Sequence, residues 1–84
     1  MNKSAKVMFE ELGYKQEKHQ DEPYIVYTQE NELAQEQIEF RLYSKNVWIS
    51  GYRKNLKRLL PCPIDMKELQ AINKQCEELG WLDE

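Results

Sequence analysis

Apolar and polar positions alternate most regularly between residues 36 and 53, EQIEFRLYSKNVWISGYR. Ile38, Phe40 and Leu42 alternate with Glu39, Arg41 and Tyr43; past Lys45-Asn46, Val47 and Ile49 alternate with Trp48, Ser50 and Tyr52. This period of two predicts a pair of half-buried strands. A two-residue turn at Lys45-Asn46 would pair Tyr43 with Trp48, Leu42 with Ile49, Arg41 with Ser50 and Glu39 with Tyr52. One face then carries Ile38, Phe40, Leu42, Val47 and Ile49, the expected core side. The other carries Tyr43, Trp48, Tyr52, Arg41 and Glu39.

Two segments switch to helical spacing. Ala5, Met8, Phe9 and Leu12 fall at i, i+3, i+4 and i+7, which predicts a short helix over residues 4–12, capped by Ser4 or Asn2 and stopped by Gly13. Residues 65–79 predict the second helix. Asp65 and Glu68 have the spacing of a capping box, Ile64 and Leu69 that of a hydrophobic staple, and Leu69, Ile72, Cys76 and Leu79 form the apolar stripe. The helices end alike, in Glu-Glu-Leu-Gly-Tyr and Glu-Glu-Leu-Gly-Trp, where the glycine can turn left-handed and the aromatic can fold back on the last turn.

Residues 24–28, Tyr-Ile-Val-Tyr-Thr, are β-branched and aromatic and follow a proline, so they predict the first strand. With Asn31-Glu32 at the tip of the next turn, Ile25 would pair with Ile38, placing Tyr24 and Val26 on the opposite face. Residues 14–23 lack periodicity and read as a loop. After Tyr52, RKNLKRLLPCP fits either a turn of helix or a fourth short edge strand, since two prolines limit any extension. The expected architecture is one α+β domain spanning residues 1–84. A three-stranded antiparallel meander carries the N- and C-terminal helices on its aliphatic face, in the order α-β-β-β-α, and leaves the other face open.

Composition narrows the class. Hydrophobic residues at 40% and charged residues at 32% belong to a globular chain. No apolar run approaches the ~20 residues of a membrane span, and the start lacks a signal-peptide core, so a cytoplasmic protein with no membrane partner is expected. The net charge of −3 hides segregation: residues 45–60 hold five bases, Lys45, Arg53, Lys54, Lys57 and Arg58, and no acid, while six acids lie on either side, in residues 21–44 and 61–84. Such a block fits a contact surface for an anionic partner, or charge complementarity within the fold or a homodimer. Cys62 and Cys76 are too few for a paired zinc motif and are expected as free thiols; His19 stands alone in a polar stretch.

MFEELGY, IEFRLYSKNVWISGY and PIDMKELQAINKQCEELGW together resemble a group of small proteins encoded in phages and prophages of Gram-positive bacteria. The resemblance covers most of the chain but not GYRKNLKRLLPCP. It implies an α-β-β-β-α domain, an accessory phage gene and residence in the bacterial host cytoplasm, and it carries no known activity and no functional residues.

The sequence offers no glycine-rich phosphate loop, no Gly-flanked serine and no metal-ligand spacing, so neither catalysis nor a cofactor is expected. The candidate partner-binding residues are Arg41, Tyr43, Trp48, Tyr52, Arg53, Lys54, Lys57 and Arg58. Aromatics with arginine suit a protein partner, from host or phage. The same residues could stack and neutralise single-stranded nucleic acid, although no RNP-type motif accompanies them.

Overall fold

The computed structural model describes residues 3–18, 23–60 and 63–82. The expectations for His19 and Cys62, including any Cys62–Cys76 pairing, lie outside these residues; Cys76 is a free thiol. The elements are α1 (Ala5–Glu11), β1 (Lys15–Lys18), β2 (Tyr24–Glu30), β3 (Ala34–Arg41), β4 (Asn46–Arg53), β5 (Arg58–Leu60) and α2 (Met66–Glu78). The fold is α+β as expected, but the sheet is larger than the predicted three strands. It is a five-stranded antiparallel meander in the order β1-β2-β3-β4-β5.

β1 replaces what reads as a loop. Its residues, Lys-Gln-Glu-Lys, have no apolar alternation because an edge strand buries little. On its inward side Gln16, opposite Tyr27, donates to the Tyr27 hydroxyl at 3.2 Å. β5 realises the edge-strand option through three pairs, Gly51 with Leu60, Tyr52 with Leu59 and Arg53 with Arg58.

Both predicted hairpin registers shift. Residues 42–45 form a four-residue loop in place of the Lys45-Asn46 turn. The Lys45 N–H donates to the Arg41 carbonyl at 2.9 Å, and Lys45 rather than Asn46 takes the left-handed conformation, at φ 54°. Ile38 therefore pairs with Ile49 and Phe40 with Val47. At the preceding turn the Asn31 Oδ1 accepts from the N–H groups of Leu33 and Ala34, both at 2.8 Å, and Ile25 pairs with Phe40 instead of Ile38. Such an Asx turn supplies locally an acceptor for the N–H donors that a tight bend leaves unpaired.

The helices stop as their sequences predict. The Tyr14 and Gly13 N–H groups reach back to Phe9 and Glu10, and those of Trp81 and Gly80 to Cys76 and Glu77, all at 3.0 Å, with φ of 96° at Gly13 and 76° at Gly80. These are two Schellman motifs. Each delivers its aromatic residue to the core: Tyr14 is buried, and Trp81 lies 6.3 Å from Phe40. Phe9, Tyr14, Tyr27, Ile38, Phe40, Ala71 and Ile72 form the central cluster, so both helices lie on the Ile38 and Phe40 side of the sheet. They run antiparallel, since the Glu78 carboxylate accepts from the Ala5 N–H at 2.8 Å.

The α2 stripe keeps three of its four predicted residues: Ile72 is buried, and Cys76 and Leu79 pack against the core. Leu69 is 49% exposed, whereas Ala71, Ile72 and Gln75 are buried. Polar bonds flank the stripe: Glu68 accepts from the Tyr14 hydroxyl at 2.5 Å, and Gln75 from the Tyr27 hydroxyl at 2.6 Å. The capping box forms, with Glu68 N–H donating to Asp65 Oδ1 at 2.8 Å and Asp65 N–H to Glu68 Oε1 at 3.3 Å. Asp65→Ala is expected to cost about 1 kcal/mol in urea denaturation. A loss below a few tenths would mean that Tyr14, and not the cap, holds Glu68 in place.

Candidate interaction surface on the open face of the sheet

Alternation in the observed registers puts Tyr24, Val26, Glu39, Arg41, Trp48, Ser50 and Tyr52 on the face away from the helices. Of the predicted face, Glu39, Arg41, Trp48 and Tyr52 stay together even though the pairings moved, whereas Tyr43 leaves it for the 42–45 loop. Glu39 lies opposite Trp48, and Arg41 opposite both Tyr24 and Asn46. The Arg41 guanidinium carbon sits 4.3 Å from the Trp48 ring centroid and 5.8 Å from that of Tyr24. Its Nε donates to Glu39 Oε2 at 2.5 Å. A partly exposed cation–π contact of this kind contributes about 0.5–1 kcal/mol and fixes the arginine plane against the indole.

Asn46 orients the indole from the other side. Its Oδ1 accepts from Trp48 Nε1 and from the Ser44 hydroxyl, both at 3.1 Å. Trp48 is thus held by a cation on one side and a hydrogen bond at its edge while remaining 53% exposed. On the same face Val26 is buried, although it does not belong to the helix-facing cluster. The open face accordingly has a small apolar floor of its own.

The remaining candidate residues do not join this group. Tyr43 lies in the 42–45 loop, 88% exposed, and does not pair with Trp48. Tyr52 shares the open face but lies four residues further along β4, opposite Gln35. With Gln35, Gln37 and Ser50 it lines a shallow polar depression. Arg53 and Arg58, paired with each other, fall on the helix side by alternation. Arg53 lies about 16 Å along the strand from Trp48. Lys54 and Lys57 are in the β4–β5 loop, where Lys54 forms an ion pair with Glu30 and donates its backbone N–H to the Leu33 carbonyl at 2.9 Å. The structure brings together Arg41 and Trp48 and separates them from the 53–58 bases.

Sequence reasoning missed Asn46 and Glu39 as the residues that position Trp48 and Arg41. Alternation already puts Glu39 two positions from Arg41 on one face of β3, but only with the 42–45 loop in place does Asn46 become a strand residue two positions from Trp48. Among the described residues no group of His, Cys, Asp and Glu side chains could hold a metal ion, and no helix is long and apolar enough to cross a membrane. Burial pushes the Cys76 thiol up, away from the thiolate form needed for reactivity. In comparisons with known proteins, the chain matches no protein-family model, no curated protein and no solved structure.

Proposed function

We propose that the chain is a non-enzymatic interaction module that binds a protein partner through the open sheet face centred on Trp48. The observation that carries this reading is the half-exposed indole held in place by Arg41 and Asn46. A rigid aromatic beside an arginine is the composition of interface hot spots, and holding it before binding reduces the ordering cost. The resemblance to small phage and prophage proteins supports an accessory role in a bacterial host, with a host or phage protein as the partner.

Single-stranded nucleic acid is the competing class. Base stacking needs free aromatic faces and nearby cations to meet phosphates. Here Arg41 occupies one side of the indole and is itself paired with Glu39, while the 53–58 bases lie at the other end of β4. The protein reading is therefore preferred.

Affinity capture with Trp48→Ala measures the difference. The variant is expected to keep wild-type circular dichroism while losing its partner by more than about 30-fold, the scale of a hot spot worth ~2 kcal/mol. A second arm titrates Trp48 fluorescence, in a Trp81→Phe background, with a mixed-sequence single-stranded oligonucleotide at low and moderate salt. No quenching is expected. Quenching that weakens steeply with salt would replace the protein reading with the nucleic-acid one.

A further inference from the structure

The 53–58 bases play no part in the open-face reading, and the fold gives them a place of their own. Residues 31–33 turn between β2 and β3, and residues 54–57 turn between β4 and β5. In the meander both turns lie at the same end of the sheet, opposite the 42–45 loop. The two tips are joined: the Lys54 N–H donates to the Leu33 carbonyl at 2.9 Å, and the Lys54 side chain forms an ion pair with Glu30. Each tip carries one protruding leucine, Leu33 at 60% and Leu56 at 54% exposure. Two strand spacings set the tips about 10 Å apart.

Charge is arranged here at a cost. Arg53 and Arg58 stand directly opposite one another on β4 and β5, where like charges destabilise a pair. Among the described residues neither has an acidic partner, and nor has Lys57. Arg53 shares a shallow depression with Glu32 and Glu36 but forms an ion pair with neither. The only acid on the two tips themselves is Glu32. Three bases beside two exposed leucines therefore face outward with nothing in the fold to neutralise them.

We propose that this end of the sheet attaches to the surface of an anionic lipid bilayer, with Leu33 and Leu56 entering the headgroup layer and Arg53, Lys57 and Arg58 meeting lipid phosphates. Apolar tips flanked by bases combine the two attractions of interfacial binding, burial in the acyl boundary and charge against anionic lipid. A nucleic acid offers phosphates too, but it would leave both leucines in water. A protein would need two pits matched to two convex tips, whereas a fluid interface needs none. The expectation of no membrane partner rested on the lack of a spanning run, which attachment from the surface does not require. Because the whole chain carries a net charge of −3, attraction is confined to this end and is sensitive to salt. The sheet then stands end-on, and the Trp48 face stays free for a protein partner.

Co-sedimentation of the full chain with phosphatidylcholine vesicles, with and without phosphatidylglycerol, tests the attachment at low and moderate salt. Wild type is expected to pellet with the mixed vesicles at low salt, to be released at moderate salt and to ignore pure phosphatidylcholine. Arg58→Glu turns the Arg53–Arg58 pair into one of opposite charges, so the hairpin keeps its support while binding should fall at least about tenfold. Leu33→Ser with Leu56→Ser leaves the charge unchanged and should also weaken binding at least about tenfold. Glu32→Gln should strengthen it about fivefold, the effect of one unit of charge near an anionic surface. Far-ultraviolet circular dichroism should be the same for all of them. A wild type that stays in solution with the mixed vesicles, or a leucine double variant that pellets as wild type does, would overturn the proposal. Retention by an immobilised mixed-sequence oligonucleotide in place of vesicles would overturn it in favour of nucleic acid. Trp48→Ala should pellet as wild type does, so this reading and that of the open face can fail separately.

Discussion

Phe9→Ala is expected to lower the unfolding free energy by about 3–5 kcal/mol, the cost of removing a fully enclosed aromatic side chain. Phe9 has no exposed surface and joins α1 to the sheet. Its ring stacks on Tyr27 at 3.9 Å between centroids and meets Tyr14 and Phe40 edge-on at 5.6 and 6.1 Å. α1 has only seven residues, far below the ~12–15 at which an isolated helix becomes marginal in water. Its helicity is therefore a consequence of docking, and Phe9 is the main anchor. A chain of this size has a total stability of about 4–13 kcal/mol, so the variant should lie close to the folding threshold. Urea denaturation of Phe9→Ala beside Val7→Ala, on the exposed side of the same helix, gives the comparison. Val7→Ala should fall within ~0.5–1 kcal/mol of wild type. A loss below about 1.5 kcal/mol for Phe9→Ala would mean that α1 is not held against the sheet as described.

How much of this fold the sequence discloses follows from how each element is stabilised. Elements ended by local chemistry were legible: Ser4, the Asp65–Glu68 box and both Leu-Gly-aromatic stops rest on interactions within a few residues. The division of the sheet into two faces was also legible, even though both hairpin registers were misread. The partner of Ile49 moved from Leu42 to Ile38, four positions, and that of Ile25 from Ile38 to Phe40, two positions. Even displacements keep every side chain on its face.

What stayed hidden depends on distant partners. β1 is a strand because β2 offers it a ladder, and Lys-Gln-Glu-Lys contains nothing that says so. The burial of the polar Gln75 and the use of Glu68 as an acceptor on α2 rest on Tyr27 and Tyr14, which lie 48 and 54 residues away. On the open face, Arg41 and Trp48 were legible as an aromatic and basic pair. The 53–58 bases looked like part of the same surface because charge along the chain says nothing about which side of β4 each base occupies. Their separation follows from the β4–β5 loop, in which Lys57 takes a left-handed φ of 52° and the chain turns back to pair Arg58 with Arg53.

The same buried tyrosines make the fold sensitive to alkali. Desolvation pushes the Tyr27 hydroxyl up from 10.0 to about 12, with Glu78 and Glu10 adding repulsion and the hydrogen bond from Gln16 opposing it. Tyr14 is raised further, first by burial and then by its bond to Glu68 and the charges of Glu68 and Glu36. In the unfolded chain both titrate near 10, while the folded chain keeps its protons. Between these limits the unfolded state binds fewer protons, so stability falls as pH rises. It is undiminished below pH 10 and is lost as pH climbs through 10 to 12. Each tyrosine removes about 1.4 kcal/mol per pH unit, so the pair should remove on the order of 5 kcal/mol by pH 12, a large share of the total. Tyr27→Phe isolates one of them. At neutral pH it should cost about 1–3 kcal/mol, because the buried Gln75, 5% exposed, loses the donor to its carbonyl. Above pH 10 its stability should decline about half as steeply as that of wild type, with lysine deprotonation common to both. Urea midpoints measured from pH 7 to 12 compare the slopes, and parallel slopes would mean that Tyr27 reaches solvent before the chain unfolds.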